Sequence, residues 1–171
     1  MMNPLTTTHP APDWLRELAT ARTRYEELLG WPVCMDVQSR CVAVPVGMVL
    51  DTITMPATLG EKVRAELGFP VPAGPVATAP DGDRWTFLTQ PAAAARRAIP
   101  AELRELDVDT AGDGAHVAIP TWLDGPTRLD GAGDRGWRWV ERPHPRQSLP
   151  PWSVVLGATR RIATGLVSIG R

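Results

Sequence analysis

Apolar residues recur at the helical period from Trp14 to Leu29, as Trp14, Leu15, Leu18, Ala21, Tyr25, Leu28 and Leu29, with Arg and Glu between them. The spacing predicts a helix opened by Asp13 as N-cap and stopped by Gly30 ahead of Pro32. Period-two alternation follows. Val33, Met35 and Val37 alternate with small or polar residues, Gln38-Ser39 turns, and Cys41–Val44 returns as a hairpin. Met48–Ile53 reads as a further strand and Glu61–Leu67 as a short helix. Pro75–Ala79 and Arg84–Thr89 flank Asp81-Gly82, a strong hairpin signal because glycine supplies the positive φ the turn needs. Pro91–Arg97 is alanine-rich and reads as helix, as does Ala101–Leu106. Trp152–Ile169 has helical spacing through Trp152, Val155, Leu156, Thr159, Ile162, Ala163 and Leu166.

The stretch from Leu106 to Val140 has its own grammar. It predicts an acidic strand at Leu106–Asp109, a tight turn at Gly112-Asp113-Gly114 and an apolar strand at Ala115–Pro120. A Gly/Asp-rich loop over Leu123–Arg135 then leads to a Trp-Arg-Trp strand at Gly136–Val140. Pro143, Pro145, Pro150 and Pro151 make the next segment extended. Hairpins dominate, so the expected class is α+β with a largely antiparallel sheet. The 171 residues fit one domain over 13–171, preceded by a flexible, proline-broken arm over 1–12.

Charge and composition narrow the function. The net charge is −1 and the hydrophobic fraction 43%, which gives a globular chain with no bulk electrostatic pull toward nucleic acid or anionic membrane. Cys34 and Cys41 fit no metal spacing and read as free thiols. No apolar run reaches membrane-spanning length, and the N-terminus lacks a secretory pattern. The expectation is a soluble cytoplasmic protein with no membrane partner.

Candidate chemistry is sparse. There is no GxGxxG, P-loop or GxSxG pattern. Asp51 stands in an apolar strand before a proline turn, where it either points into a site or caps the turn. Asp107 and Asp109 share one face of the expected acidic strand. Two carboxylates there either hold a cation between them or form a solvated edge. His116 has no second ligand beside it. Trp85, Trp137, Trp139 and Trp152 stand near Arg84, Arg135 and Arg138. Arginine with aromatics can stack bases; alternatively Trp137 and Trp139 cover the core from one sheet face and Arg138 points to water.

The order of these motifs resembles the bifunctional DNA primase/polymerase N-terminal domain, the Prim-Pol branch of the archaeo-eukaryotic primase superfamily, and its shortened actinobacterial members most. The likeness runs from Tyr25 to Trp152. It is carried by GWPV at 30–33, VLDTITMP at 49–56, GPVATAPDGDRWTFLTQP at 74–91, LDVDTAGDGAHVAIPTW at 106–122 and GWRWV at 136–140. The resemblance implies an RRM-like antiparallel core with flanking helices and a two-metal site for nucleotidyl transfer. Asp51 matches the first carboxylate and Asp107 the third, with Asp109 completing a candidate Mg²⁺ or Mn²⁺ set. Arg84, Trp85 and Arg138 become candidates for binding nucleotide or nucleic acid. The chain departs from the pattern twice. Ile53 or Thr54 stands where a second carboxylate is expected, and Trp85 occupies the approximate place of a histidine. The implied function is a stand-alone Prim-Pol-like protein with an eroded site, connected with DNA replication or repair, that binds nucleotide or nucleic acid weakly. The alternatives are an active small primase/polymerase or nucleotidyltransferase, and a regulatory module acting through a protein partner.

Overall fold

The computed structural model describes residues 11–68, 72–93, 97–122 and 136–169, with side chains to 165. Residues 1–10 of the arm expected over 1–12, and the Gly/Asp loop over 123–135, lie outside the described residues. The elements are α1 (Asp13–Leu29), β1 (Cys34–Asp36), β2 (Cys41–Pro45), β3 (Asp51–Pro56), α2 (Ala57–Leu67), β4 (Val76–Thr78), β5 (Arg84–Thr89), α3 (Ala101–Arg104), β6 (His116–Ile119), β7 (Arg138–Glu141) and α4 (Trp152–Ile169). The strands form two antiparallel sheets, β1-β2-β6 and β3-β5-β4-β7. The expected α+β class holds. Among the described residues no helix is long and apolar enough to cross a membrane.

Alternation along the strands divides the interior in two. On one face of the four-stranded sheet, Ile53, Met55, Val76 and Phe87 pack with Leu59, Val63 and Leu67 of α2 and Val155, Ala158 and Ala163 of α4. Gly60 lets α2 lie flat on this face, since a Cβ there would stand 3.0–3.2 Å from the Trp85 side chain. The opposite face carries Thr52, Thr54, Thr86 and Leu88. Leu88 joins the second core with Leu18 and Tyr25 of α1, Val42 and Val44 of β2, and Ile119 of β6. The Tyr25 hydroxyl ties this core together. It donates to Pro120 O at 2.6 Å and accepts from Trp139 Nε1 at 3.0 Å, bridging α1, the end of β6 and β7.

Several expected boundaries move, each for a local reason. Pro12 precedes α1, so Asp13 is its first residue and pairs with Arg16 instead of capping. Gly30 closes α1 at φ 67° as anticipated, donating to Glu26 O at 3.0 Å. β3 begins three residues later than the apolar run predicts. Gly47 (φ 101°) turns the chain, its N–H donates to Leu50 O, and Met48 is left in solvent. α2 starts at Ala57 directly after β3, because Asp83 O accepts the Ala57 N–H at 2.8 Å. The alanine-rich stretch is not helical at its described ends, residues 91–93 and 97.

The largest correction falls on Leu106–Asp109, which is not a strand. Val108 N–H reaches back to Leu103 O and Asp107 N–H to Arg104 O, both at 3.0 Å, with Asp107 at φ 57°. This is a Schellman close to α3, with an aspartate where glycine is favoured and Leu103 and Val108 buried together. Only then does Asp109 exchange two 2.9 Å hydrogen bonds with Thr54 on the open edge of β3. The segment then crosses over Gly112–Gly114 to β6, which pairs with β2 in the other sheet.

Candidate functional site

Asp51 and Ile53 share a face of β3, so the carboxylate enters the interior and is fully buried. A buried carboxylate needs compensation, and one oxygen receives it. Oδ2 accepts the Ala92 N–H at 2.6 Å and lies 3.0 Å from Arg97 Nε. The Arg97 guanidinium, itself 13% exposed, also pairs with Asp113 in the Gly112–Gly114 turn. A cation does stand between two carboxylates here, but it is arginine, and the carboxylates are Asp51 and Asp113. Gly47 is required beside it: a Cβ there would come within 2.7 Å of Asp113 Oδ1 and 3.3 Å of Arg97 Nη2. Asp51 Oδ1 is buried with no hydrogen-bond partner.

The other residues singled out from the sequence are distributed elsewhere. Asp109 lies opposite Thr54, three positions along β3 from Asp51 and on the other face of the sheet. At about 3.3 Å per residue that is roughly 10 Å along the strand. Asp109 pairs with Arg84 at 2.7 Å, and Arg84 Nη2 also donates to Asp107 O at 3.0 Å. Both Asp107 and Asp109 are exposed. The idea that Asp107 and Asp109 share a strand face is therefore corrected, because Asp107 is the close of a helix. Trp85 points away from Arg84, onto α2. It lies in register with Thr78, which in turn is in register with Arg138, so these three form one row across β5, β4 and β7. Arg138 does not simply point to water: it is half-buried, and its Nε has no partner. Among the described residues, no three His, Cys, Asp or Glu side chains converge to hold a metal ion.

A second place in the fold attracts attention on shape. A cleft of about 720 Å³ lies against the outer face of β1, β2 and β6. Cys34, Ala43 and Ala118 are in register across the three strands and form its floor. Asp36 and Cys41 pair beyond one end of that row and His116 lies beyond the other. Trp137, Pro80 and Thr121 supply walls. Trp139 joins the core as expected, but Trp137 does not; it lines this cleft. Hydrogen bonds from Ser39 and Gln38 hold the Asp36 carboxyl below the usual range. Burial, then the charges of Asp36 and Cys34, push the Cys41 thiol up, so its reactive thiolate is scarce at neutral pH. Both cysteines are free. Sequence reasoning missed the cleft because its residues come from five separate segments, and only the strand register brings them together.

No protein-family model, no curated protein and no solved structure matches the chain.

Proposed function

We propose that this is a primase-polymerase-like protein that binds nucleotide or nucleic acid weakly and does not transfer nucleotides. One observation carries the reading: the Asp51 carboxylate is already neutralised from inside the fold, by Arg97 Nε at 3.0 Å and the Ala92 N–H at 2.6 Å. A two-metal mechanism needs carboxylates that converge and give their oxygens to cations. Here Asp51 is paired with a guanidinium, Asp109 with Arg84, and Asp107 closes α3 through its backbone, its side chain exposed and apart from Asp51.

The topology supports the RRM-like part of the proposal. β3 leads through α2 to β4, with β5 between them. After α3 the chain returns antiparallel to the outer edge of β3 at Asp109. That is a β-α-β-β-α-β sequence with its last strand reduced to a single bridge. β7 adds a further strand beyond β4.

Thermal melting with Mn²⁺ tests the reading. Because Arg97 occupies Asp51, millimolar Mn²⁺ is expected to leave the melting temperature unchanged. A ligand at about 100 times its Kd adds roughly 2.7 kcal/mol. A rise of that order that vanished in Asp51→Asn would mean that Asp51 holds a metal after all.

A further inference from the structure

We infer that the cleft over the outer face of β1, β2 and β6 binds a neutral, planar nitrogen heterocycle, a purine base or nucleoside, stacked against Trp137 with an N–H edge toward Asp36. The inference does not rest on the primase likeness. It uses a different part of the fold from Asp51.

Size comes first. A volume of about 720 Å³ lies within the roughly 300–1,000 Å³ typical of small-molecule sites. Shape comes next. The row Cys34, Ala43, Ala118 has only small side chains, so the outer face is low along this row, between Asp36 and Cys41 on one side and His116 on the other. Trp137 brings an indole to the wall, and an indole is a surface on which any base can stack. Such a low, indole-walled slot selects for a planar ligand. Polarity gives the ligand an edge. The Asp36 carboxyl is held ionised by the Ser39 and Gln38 hydrogen bonds and is an acceptor only, so it calls for an N–H or NH₂ donor.

Charge then sets what the ligand lacks. Asp36 and Arg40 are the only charged residues of the lining among the described residues, and they cancel. Arg40 is moreover held 4.9 Å over the Trp14 ring. Among the described residues a triphosphate would find no excess of positive charge here, so the lining favours the uncharged base or nucleoside.

Guanosine and adenosine, titrated to millimolar concentration against ¹⁵N-labelled full-length protein, are the probes. The seven tryptophans give indole N–H resonances, and Trp137→Phe identifies the one that matters by its loss. Guanosine is expected to shift the Trp137 resonance while leaving that of Trp152, buried in the other core, in place. Ala118→Phe fills the floor from the outer face and is expected to weaken binding at least tenfold. Asp36→Asn keeps the acceptor that holds the turn but loses the charge, and is expected to weaken binding about tenfold, as loss of a charged hydrogen-bond partner does. The proposal is overturned if neither nucleoside moves the Trp137 resonance. It is equally overturned if binding survives unchanged in both variants, or if GTP moves the Trp137 resonance at lower concentration than guanosine.

Discussion

Arg97 does for Asp51 what a bound cation would do in an open site. It neutralises a carboxylate that has no solvent, and it adds a second bond to Asp113 so that β3, the segment after β5 and the turn before β6 are tied at one point. Removing one partner of such a pair leaves a buried, uncompensated charge, which typically costs 3–5 kcal/mol. Arg97→Ala is therefore expected to destabilise by about 3 kcal/mol or more in urea unfolding. Asp51→Ala combined with Arg97→Leu should recover much of that loss, because the charge and its counter-ion leave together. A loss below about 1 kcal/mol in Arg97→Ala would be the behaviour of a surface pair, and would show that Asp51 is not held this way.

At the scale of elements, α3 decides what Asp107 is. Its Schellman close puts Asp107 at φ 57°, a conformation that costs an L-residue roughly 1–2 kcal/mol and glycine almost nothing. Aspartate tolerates it better than most, so Asp107→Gly is expected to raise stability modestly, by about 0.5 kcal/mol, and Asp107→Ala to lower it by a similar amount. A loss of stability in the glycine variant would contradict the helix-closing role. The same element shows where the sequence could and could not be read. Leu106-Asp-Val-Asp109 alternates as a strand does, but four residues are too few to separate alternation from a helix end whose aspartate takes glycine's place. Gly30, Asp81-Gly82 and the spacing of α1 and α4 were legible because their signals are local and chemically specific. Met48 to Leu50 was not, since an apolar run reads as strand whether or not a partner stands opposite. Asp51 was visible as a strand-end carboxylate. Arg97 was not visible as its counter-ion, because that contact joins residues 46 positions apart with no periodicity between them. Trp137 and Trp139 look equivalent in GWRWV; only the fold sends one to Tyr25 and the other to the cleft.

For the whole molecule, charge and the proposed function pull in opposite directions. The proposed primase-polymerase-like reading favours nucleic acid, while a net charge of −1 opposes it, because phosphate neutralisation supplies most non-specific affinity. Arg84, Arg96, Arg97, Arg135, Arg138, Arg142 and Arg146 are interleaved with Asp107, Asp109, Asp113, Asp124, Asp130 and Asp134 along the chain. Of these, Arg96, Arg135, Asp124, Asp130 and Asp134 lie outside the described residues. Arg84 and Arg97 are already paired with Asp109, Asp51 and Asp113. Opposite charges within a Debye length of about 8 Å cancel much of each other's field. Fluorescence anisotropy with labelled single-stranded and duplex oligonucleotides is expected to give salt-sensitive binding no tighter than about 10⁻⁴–10⁻⁶ M, the non-specific range. Nanomolar binding at physiological salt would contradict that expectation. The central claim, that the fold has turned its carboxylates to structural use, meets its most direct test in a primer-template incorporation assay. With Mg²⁺ or Mn²⁺ and labelled nucleoside triphosphates, the account predicts no primer synthesis and no extension. Template-directed incorporation that disappears in Asp51→Ala, while that variant remains folded, would contradict it.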